Sequence, residues 1–299
     1  MPASIILVTG KSGQVGHALI PIMKTFGTVI ALGREDYDLA DPRAIARAVR
    51  EFRPNILINP AAYTAVDKAE SDRNGAYAVN TVAPEVMARI AKDIGAAMIH
   101  YSTDYVFDGR KKEPYVEDDE TNPISVYGMS KRDGERAIRA NLREHVILRT
   151  SWIFGLVGSN FLKTIIRLAS ERDELAVVAD QVGAPTSATL LAEITGKIVR
   201  KILSNRDDVA YGTYHLAAGG QTNWHGYATF AIEEARRKGL PIRVATEAIR
   251  AIPTSAFPTP AARPANSCLN TAKLRGTFGI DLPPWQNGVR TAVEALARS

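Results

Sequence analysis

Along the first 150 residues, short apolar runs alternate with longer segments in which apolar residues recur every three or four positions. Continuous apolar runs are typical of strands buried in a parallel sheet, and the recurring spacing is typical of amphipathic helices. The pattern predicts strands at residues 4–9, 28–32, 55–59, 96–101 and 145–150. Strands that alternate with helices in this way predict an α/β fold built on a doubly wound parallel sheet, the Rossmann arrangement.

Helices are predicted between these strands. One begins with Pro42, a residue that fits the first position of a helix, and another holds Tyr127 and Lys131. The longest covers residues 76–94. Its spacing predicts an inward face made of Val79, Val82, Val86 and Ile90.

Beyond residue 150 the alternation weakens. Helices are predicted at 160–169, 187–203, 224–238 and 284–297, and strands at 175–178 and 212–216. We expect residues 1–150 to form a dinucleotide-binding core, with residues 187–216 returning to it. Most of 151–299 is expected to form a smaller C-terminal substrate-binding region, in which the proline-rich run at 252–260 makes a stiff loop.

The first predicted strand runs into Gly10-Lys-Ser-Gly13-Gln-Val-Gly16, and helical spacing follows. Strand, glycine turn and helix in this order are the context in which a glycine motif indicates dinucleotide binding. Gly10 allows the tight turn, Gly13 lets the backbone approach a pyrophosphate, and Gly16 lets helix and strand pack closely. The helix N-terminus then directs free N–H groups at the phosphates. The alternative is a glycine-rich turn without function.

The second predicted strand is followed by Gly33 and Arg34. Many dinucleotide folds carry an acid near this point, which binds the ribose 2′-hydroxyl of NAD. An arginine suits the 2′-phosphate of NADPH instead, so we expect NADPH as the preferred cofactor and NADH as a second one. Glu35 and Asp36 would oppose this preference if they face the cofactor, and an arginine on a surface turn is the alternative.

A third motif combines Tyr127 and Lys131 with Ser102, Thr103 and Asp104. On a helix, the tyrosine and the lysine lie one turn apart on the same face. An ammonium beside a phenol favours the phenolate and lowers the pKa of the tyrosine. A hydroxyl from Ser102 or Thr103 would hold a carbonyl oxygen against the phenol. These are the parts of a site that delivers a proton to a ketone, although a Tyr-x-x-x-Lys pair alone also arises by chance on solvated helices.

Composition narrows the function classes. The net charge of +5 comes from 37 basic and 32 acidic residues that are scattered along the chain, which argues against a nucleic-acid partner. A single cysteine, Cys268, suits a reducing compartment. The sequence contains no run of about 18 apolar residues, so no membrane span is predicted. We therefore expect a cytoplasmic protein, with the acidic run at 117–120 solvated and no metal site.

Together the motifs resemble those of the extended short-chain dehydrogenase/reductases, and within them the reductases of dTDP-linked 4-keto sugars. The resemblance covers nearly the whole chain. Besides the glycine loop, it rests on the segments 61–70, 100–107, 126–131, 149–152, 180–186 and 263–267. Several of these segments are specific to the reductases rather than to the superfamily.

The resemblance implies an NAD(P)H-dependent reduction of dTDP-4-dehydro-L-rhamnose to dTDP-L-rhamnose. It makes Tyr127 the proton donor, Lys131 a ligand of the nicotinamide ribose, and Thr103 rather than Ser102 the hydroxyl that meets the substrate. The dTDP-sugar is expected to contact Thr103, Asp104, Trp152 and Arg263, the last through its pyrophosphate. The cofactor is expected to contact Gly10, Ser12, Gly13, Gln14, Val15, Gly16, Arg34, Asp38, Leu39, Ala62, Tyr63, Thr64, Tyr127 and Lys131.

Three further points stay open. Some proteins of this group form homodimers around Mg²⁺ held by acids, one of them on the first helix, where this chain has His17 and Ala18; a homodimer is expected, and Mg²⁺ is doubtful. Another nucleotide-sugar epimerase or dehydratase is an alternative, against which the reductase-type motifs argue. A non-catalytic subunit is a second alternative, because the regulatory β subunit of methionine adenosyltransferase resembles the same family; the intact Tyr127 and Lys131 argue against it.

Overall fold

The computed structural model describes residues 4–298. The strands are β1 (Ile5–Thr9), β2 (Thr28–Leu32), β3 (Ile56–Asn59), β4 (Ala97–Thr103), β5 (His145–Thr150), β6 (Ile153–Phe154), β7 (Leu175–Val178), β8 (Val182–Gly183), β9 (Thr186–Ser187), β10 (Gly212–His215), β11 (Thr222–Asn223) and β12 (Ile249–Ile252). The α-helices are α1 (Gln14–Met23), α2 (Pro42–Phe52), α3 (Val66–Ala69), α4 (Arg73–Tyr77), α5 (Ala83–Ile94), α6 (Val126–Asn141), α7 (Phe161–Glu171), α8 (Ala188–Ser204), α9 (Trp224–Arg237), α10 (Ala272–Phe278) and α11 (Trp285–Ala297).

Six strands form one parallel sheet in the order β10-β5-β4-β3-β1-β2. The predicted doubly wound parallel sheet is confirmed. Its strand order reverses between β1 and β3, and open α/β sheets bind their ligands at such a point, outside the carboxyl ends of the strands. The edge strand β10 pairs with β5, so the second half of the chain completes the sheet that the first half begins.

Helices cover both faces of this sheet, and successive strand residues supply the two cores. Ile6 and Val8 of β1 pack in the cluster that includes α1 and α8, whereas Leu7 packs in the cluster that includes α2 and α5. All three side chains are fully buried. Strands buried on both faces contain few polar positions, which explains why their apolar runs stand out in the sequence.

The segment predicted as one helix at 76–94 is interrupted. A π-helical turn at Ala78–Val82 joins α4 to α5. Such a turn contains an extra residue, which advances the following positions by about 100° around the axis. The predicted inward position of Val82 is therefore wrong: its exposure is 37%, while Met87 and Ile90 are buried.

The second half of the chain adds three small two-stranded sheets, which pair β7 with β12, β6 with β9 and β8 with β11. Strand β12 and helix α10 were not predicted. Two of the four residues of β12 are exposed, so its sequence shows no sustained alternation. In the range 4–298, no helix has both the length and the apolar character that a membrane span requires.

Candidate active site

A cavity of about 970 Å³ opens where β1, β3 and β4 end. Residues from both halves of the chain form its walls. The predicted site residues that line it are Gly10, Ser12, Gly13, Gln14, Val15, Gly16, Arg34, Asp38, Leu39, Ala62, Tyr63, Thr64, Thr103, Asp104, Tyr127 and Trp152. Lys131 and Arg263 are not among the residues that line it.

The glycine loop forms one end of the cavity. Gly10 has a φ of +62°, in the left-handed region that favours glycine. A Cβ atom on Gly16 would lie 2.1 Å from the carbonyl oxygen of Gly10, so α1 packs against the loop as closely as only glycine allows. Gly13 caps α1 without a side-chain hydrogen bond. The first N–H groups of α1 are consequently available to an anion such as a phosphate.

Arg34 lies beside this loop, exposed and in the cavity lining. The two acids that follow it are turned away, because the ammonium of Lys11 contacts Glu35 Oε1 at 3.0 Å and Asp36 Oδ2 at 2.8 Å. Hydrogen bonds from Lys11 and from the Gly33 N–H lower the pKa of Asp36. Neither of these two acids lines the cavity, whereas Arg34 and Asp38 both do.

Tyr127 lies in the first turn of α6, where the Ser125 side chain caps the helix by accepting a hydrogen bond from the Gly128 N–H. Burial raises the pKa of the Tyr127 phenol, and a hydrogen bond with Thr103 opposes that rise. The expected decrease of this pKa by Lys131 is therefore wrong: burial is the largest cause of the shift, and Lys131 is not among its causes. The phenol is protonated at neutral pH and can act as an acid.

Ser102 and Thr103 differ in how their hydroxyls are used. Ser102 Oγ donates to Glu135 Oε1 at 2.6 Å, and Glu135 is buried and paired with Arg149. Thr103 Oγ1 accepts from the Tyr105 N–H at 3.1 Å and lies next to the Tyr127 phenol. Both hydroxyls donate to a carboxylate, that of Ser102 to Glu135 and that of Thr103 to Asp104, but only the Thr103 hydroxyl lies next to the Tyr127 phenol, which favours Thr103 as the group that meets a substrate.

Asp104 follows directly and is 3% exposed. Its Oδ1 accepts a hydrogen bond from Thr103 at 3.1 Å, whereas its buried Oδ2 has no partner within the described part of the chain. Burial raises the pKa of this carboxyl to about 6, and hydrogen bonds with Ser267 and Thr103 oppose the rise. An unpaired buried oxygen on the cavity wall is costly unless a ligand binds it, so Asp104 is suited to a substrate hydroxyl.

Lys131 and Arg263 are both engaged within the protein. The Lys131 ammonium donates to the Tyr101 carbonyl oxygen at 2.6 Å and lies 3.1 Å from His100 Nε2. Burial lowers its pKa to about 8, and the charge of Glu135 opposes this. Arg263 pairs with Asp67 at 2.8 Å. Their roles toward cofactor and substrate stay predictions.

Aromatic side chains form another part of the cavity wall. Trp152 has a φ of +48° and stacks on Trp224, with 3.7 Å between ring centroids. The indole N–H of Trp224 donates to Gln181 Oε1 at 3.1 Å, and Phe161 packs on the same ring. Sequence reasoning identified Trp152 alone. The other members of this wall come from α7 and α9, and no local motif marked them.

Known proteins resemble the chain over almost its whole length. Residues 4–298 match the family model described as RmlD substrate binding domain. The chain belongs to this family. It is 48% identical over 295 residues to a dTDP-4-dehydrorhamnose reductase of Shigella flexneri, which covers 97% of each chain, and 44% identical to one of Burkholderia thailandensis, which covers 97% and 98%.

Solved structures of family members give the same result. A dTDP-4-dehydrorhamnose reductase of Clostridium acetobutylicum superposes with a TM-score of 0.88 at 37% identity, covering 98% of this chain and 99% of that one. One of Bacillus anthracis, solved in complex with NADP, has a TM-score of 0.87 at 32% identity, covering 97% and 98%. The resemblance that the motifs indicated is confirmed.

Within residues 4–298, no group of three or more His, Cys, Asp or Glu side chains is placed to hold a metal ion. Ala18, on α1, offers no ligand. The doubt about Mg²⁺ stays a prediction.

Proposed function

We propose that this chain reduces the 4-keto group of dTDP-4-dehydro-L-rhamnose to give dTDP-L-rhamnose, with NADPH as its preferred cofactor. One observation carries the proposal: the Tyr127 phenol and the Thr103 hydroxyl lie together in a cavity whose far end is the glycine loop. The names of the relatives support the same substrate. The prediction of a nicotinamide-dependent oxidoreductase is confirmed at the level of the family.

The cofactor would lie along the glycine-loop wall. Its pyrophosphate fits the N-terminus of α1, and Asp38, Leu39, Ala62, Tyr63 and Thr64 line the space beside it. Arg34 is placed to bind a 2′-phosphate, since Lys11 holds Glu35 and Asp36 away. The bound cofactor supplies the hydride that reduces C4 of the sugar.

The protein supplies the proton. Tyr127 transfers the proton of its phenol to the sugar O4 as the hydride arrives at C4, so that the ketone becomes an alcohol, the phenol becomes a phenolate, and the cofactor would leave as NADP⁺. Thr103 holds the carbonyl oxygen against the phenol, and the free oxygen of Asp104 binds a neighbouring sugar hydroxyl. Trp152 covers the sugar. Arg263 binds the pyrophosphate when its ion pair with Asp67 is exchanged for one with a phosphate.

The test is NADPH oxidation by the purified protein with dTDP-4-dehydro-L-rhamnose, with the product identified by NMR. We expect stoichiometric consumption of NADPH and formation of dTDP-L-rhamnose. An epimerase would change the sugar without net oxidation of NADPH, and a non-catalytic subunit would bind without turnover; either result contradicts the proposal. Light scattering in the same buffer tests the expected homodimer.

A further inference from the structure

A row of buried polar side chains crosses the sheet below the cavity. Thr9 Oγ1 lies 2.6 Å from Asn59 Oδ1, Asn59 Nδ2 lies 3.0 Å from His100 Nδ1, and His100 Nε2 lies 3.1 Å from Lys131 Nζ. Each of the four residues is at most 1% exposed. Thr9 and Asn59 end β1 and β3, and His100 lies within β4; a buried polar group in such a place is retained at a cost in stability.

The hydrogen bonds of this row restrict the protonation states of Lys131 and His100. An ammonium only donates hydrogen bonds, so a charged Lys131 requires an unprotonated Nε2 on His100. A neutral imidazole then carries its proton on Nδ1 and donates it to Asn59. The Asn59 amide, whose nitrogen faces His100 and whose oxygen faces Thr9 in the structure, must then be turned by 180° so that its oxygen accepts from His100 and its nitrogen donates to Thr9. The other tautomer, with the proton on Nε2, is compatible only with an uncharged Lys131.

We propose that His100 is the positioning residue of Lys131: as the neutral Nδ1–H tautomer it accepts a hydrogen bond from the ammonium and fixes its place beneath Tyr127. The inference rests on the proposed function for its catalytic meaning. Together with the Tyr101 carbonyl, His100 occupies two of the three donor directions of the ammonium. One direction is left for a ribose hydroxyl or for the phenolate that proton transfer creates.

The surrounding charges agree with this assignment. Burial and the Lys131 charge both lower the pKa of His100, which keeps the ring neutral at pH 7. Burial lowers the pKa of Lys131 to about 8, and Glu135 on the same helix opposes this. Glu135 is itself paired with Arg149 of β5 and Arg139 of α6, and the Tyr127 phenol is uncharged. With a pKa of about 8, Lys131 therefore carries its positive charge at pH 7.

The tautomer can be read directly. We expect ¹⁵N NMR of histidine-labelled native protein at pH 7 to show, for His100, a neutral ring protonated on Nδ1, whose signals disappear in His100→Gln. His145 and His215, whose Nδ1 atoms lie against carbonyl oxygens, should show the same tautomer and keep their signals in the variant. The chain has five histidines, so the variant also provides the assignment. A ring protonated on Nε2, or a doubly protonated one, overturns the proposal. This measurement needs no turnover, so it stands even where the proposed reaction fails.

Kinetics test the consequence. His100→Leu removes the acceptor, and the uncompensated ammonium becomes harder to keep charged; its pKa falls further, so the alkaline limb of the kcat/KM profile moves to lower pH. We expect kcat/KM at pH 8 to fall about ten- to a hundredfold, the range of a hydrogen bond to a charged group. His100→Gln keeps an acceptor oxygen and should retain most of the native kcat/KM at pH 8.

His145, a buried histidine that begins β5 and lies outside the row, is the matched control, and His145→Gln should leave the pH profile unchanged. A His100→Leu protein with a native pH profile shows that the ring only fills space. If His100→Leu fails to fold, the comparison of His100→Gln with the native protein, and the NMR experiment, still decide. Absence of turnover in the native protein contradicts the proposed function, not the tautomer.

Discussion

The two ends of the cavity are built in different ways. The glycine-loop wall is mostly backbone from consecutive residues, and its shape depends on side chains being absent at Gly10 and Gly16. The aromatic wall is made of side chains from β6, α7 and α9 regions, stacked on one another around Trp224. An added side-chain atom should disturb the glycine-loop wall, whereas loss of an aromatic ring should disturb the aromatic wall. The two ends should therefore respond to opposite kinds of substitution.

The largest effect on activity is expected for a substitution of Tyr127, which belongs to neither wall. Tyr127→Phe removes the proton donor while leaving both walls in place, so kcat should fall about 10²–10⁴-fold, the usual contribution of general acid catalysis. The dissociation constant of NADPH, measured by fluorescence titration, should stay close to the native value. Tyr214→Phe, in the buried edge strand β10, is the control and should keep full activity. Near-native turnover by Tyr127→Phe would remove the tyrosine from the mechanism.

Arg34→Ala tests the charge at the glycine-loop end. Loss of a charge-assisted bond to the 2′-phosphate should reduce kcat/KM for NADPH about ten- to a hundredfold and leave kcat/KM for NADH nearly unchanged. Arg50→Ala, on the exposed face of α2, provides the same loss of charge away from the cavity. Equal use of both cofactors by the native protein, unchanged in Arg34→Ala, would make this arginine a surface residue.

Gly16→Ala tests the requirement for bare backbone. The new methyl group would lie 2.1 Å from the Gly10 carbonyl oxygen, so the loop has to move. We expect a cost of about 1–3 kcal/mol, divided between the free energy of unfolding and cofactor affinity. Calorimetry and NADPH titration measure the two parts. Gly276→Ala in α10 has open space around it and should be neutral or slightly stabilising; a similar loss there would point to a general effect of alanine.

The smallest effect is expected at the aromatic end. Trp224→Leu removes the ring on which Trp152 stacks, and such pairs contribute about 0.5–1.5 kcal/mol, or roughly two- to tenfold in affinity. The KM of the dTDP-sugar should rise by that factor, while the KM of NADPH should not change. Trp224→Phe keeps an aromatic face, so its KM for the dTDP-sugar should lie between those of the native protein and of Trp224→Leu. A parallel rise in the KM of NADPH would show that the two walls are not independent.

The same contrast explains what could be predicted from sequence. The glycine-loop wall is local: Gly10, Gly13 and Gly16 lie within seven residues, and the strand before them is a continuous apolar run. Trp224 reaches the cavity only because α9 packs near β7, a contact between segments about fifty residues apart that no local period contains. The hydrogen bonds of Lys131 and Ser102 also join distant segments: Lys131 on α6 contacts His100 on β4, and Ser102 on β4 donates to Glu135 on α6.

The extra residue at Ala78–Val82 has a mechanical consequence. Asn80 sits in that turn, where its amide accepts from the Tyr63 N–H at 2.8 Å and donates to Ser130 Oγ on α6 at 3.0 Å. The loop that carries Tyr63 and the helix that carries Tyr127 are thereby linked by one side chain. Deleting a single residue there would restore a regular helix, rotate Asn80 away and let the two parts move independently. The number of residues in this turn therefore decides where the Asn80 side chain lies.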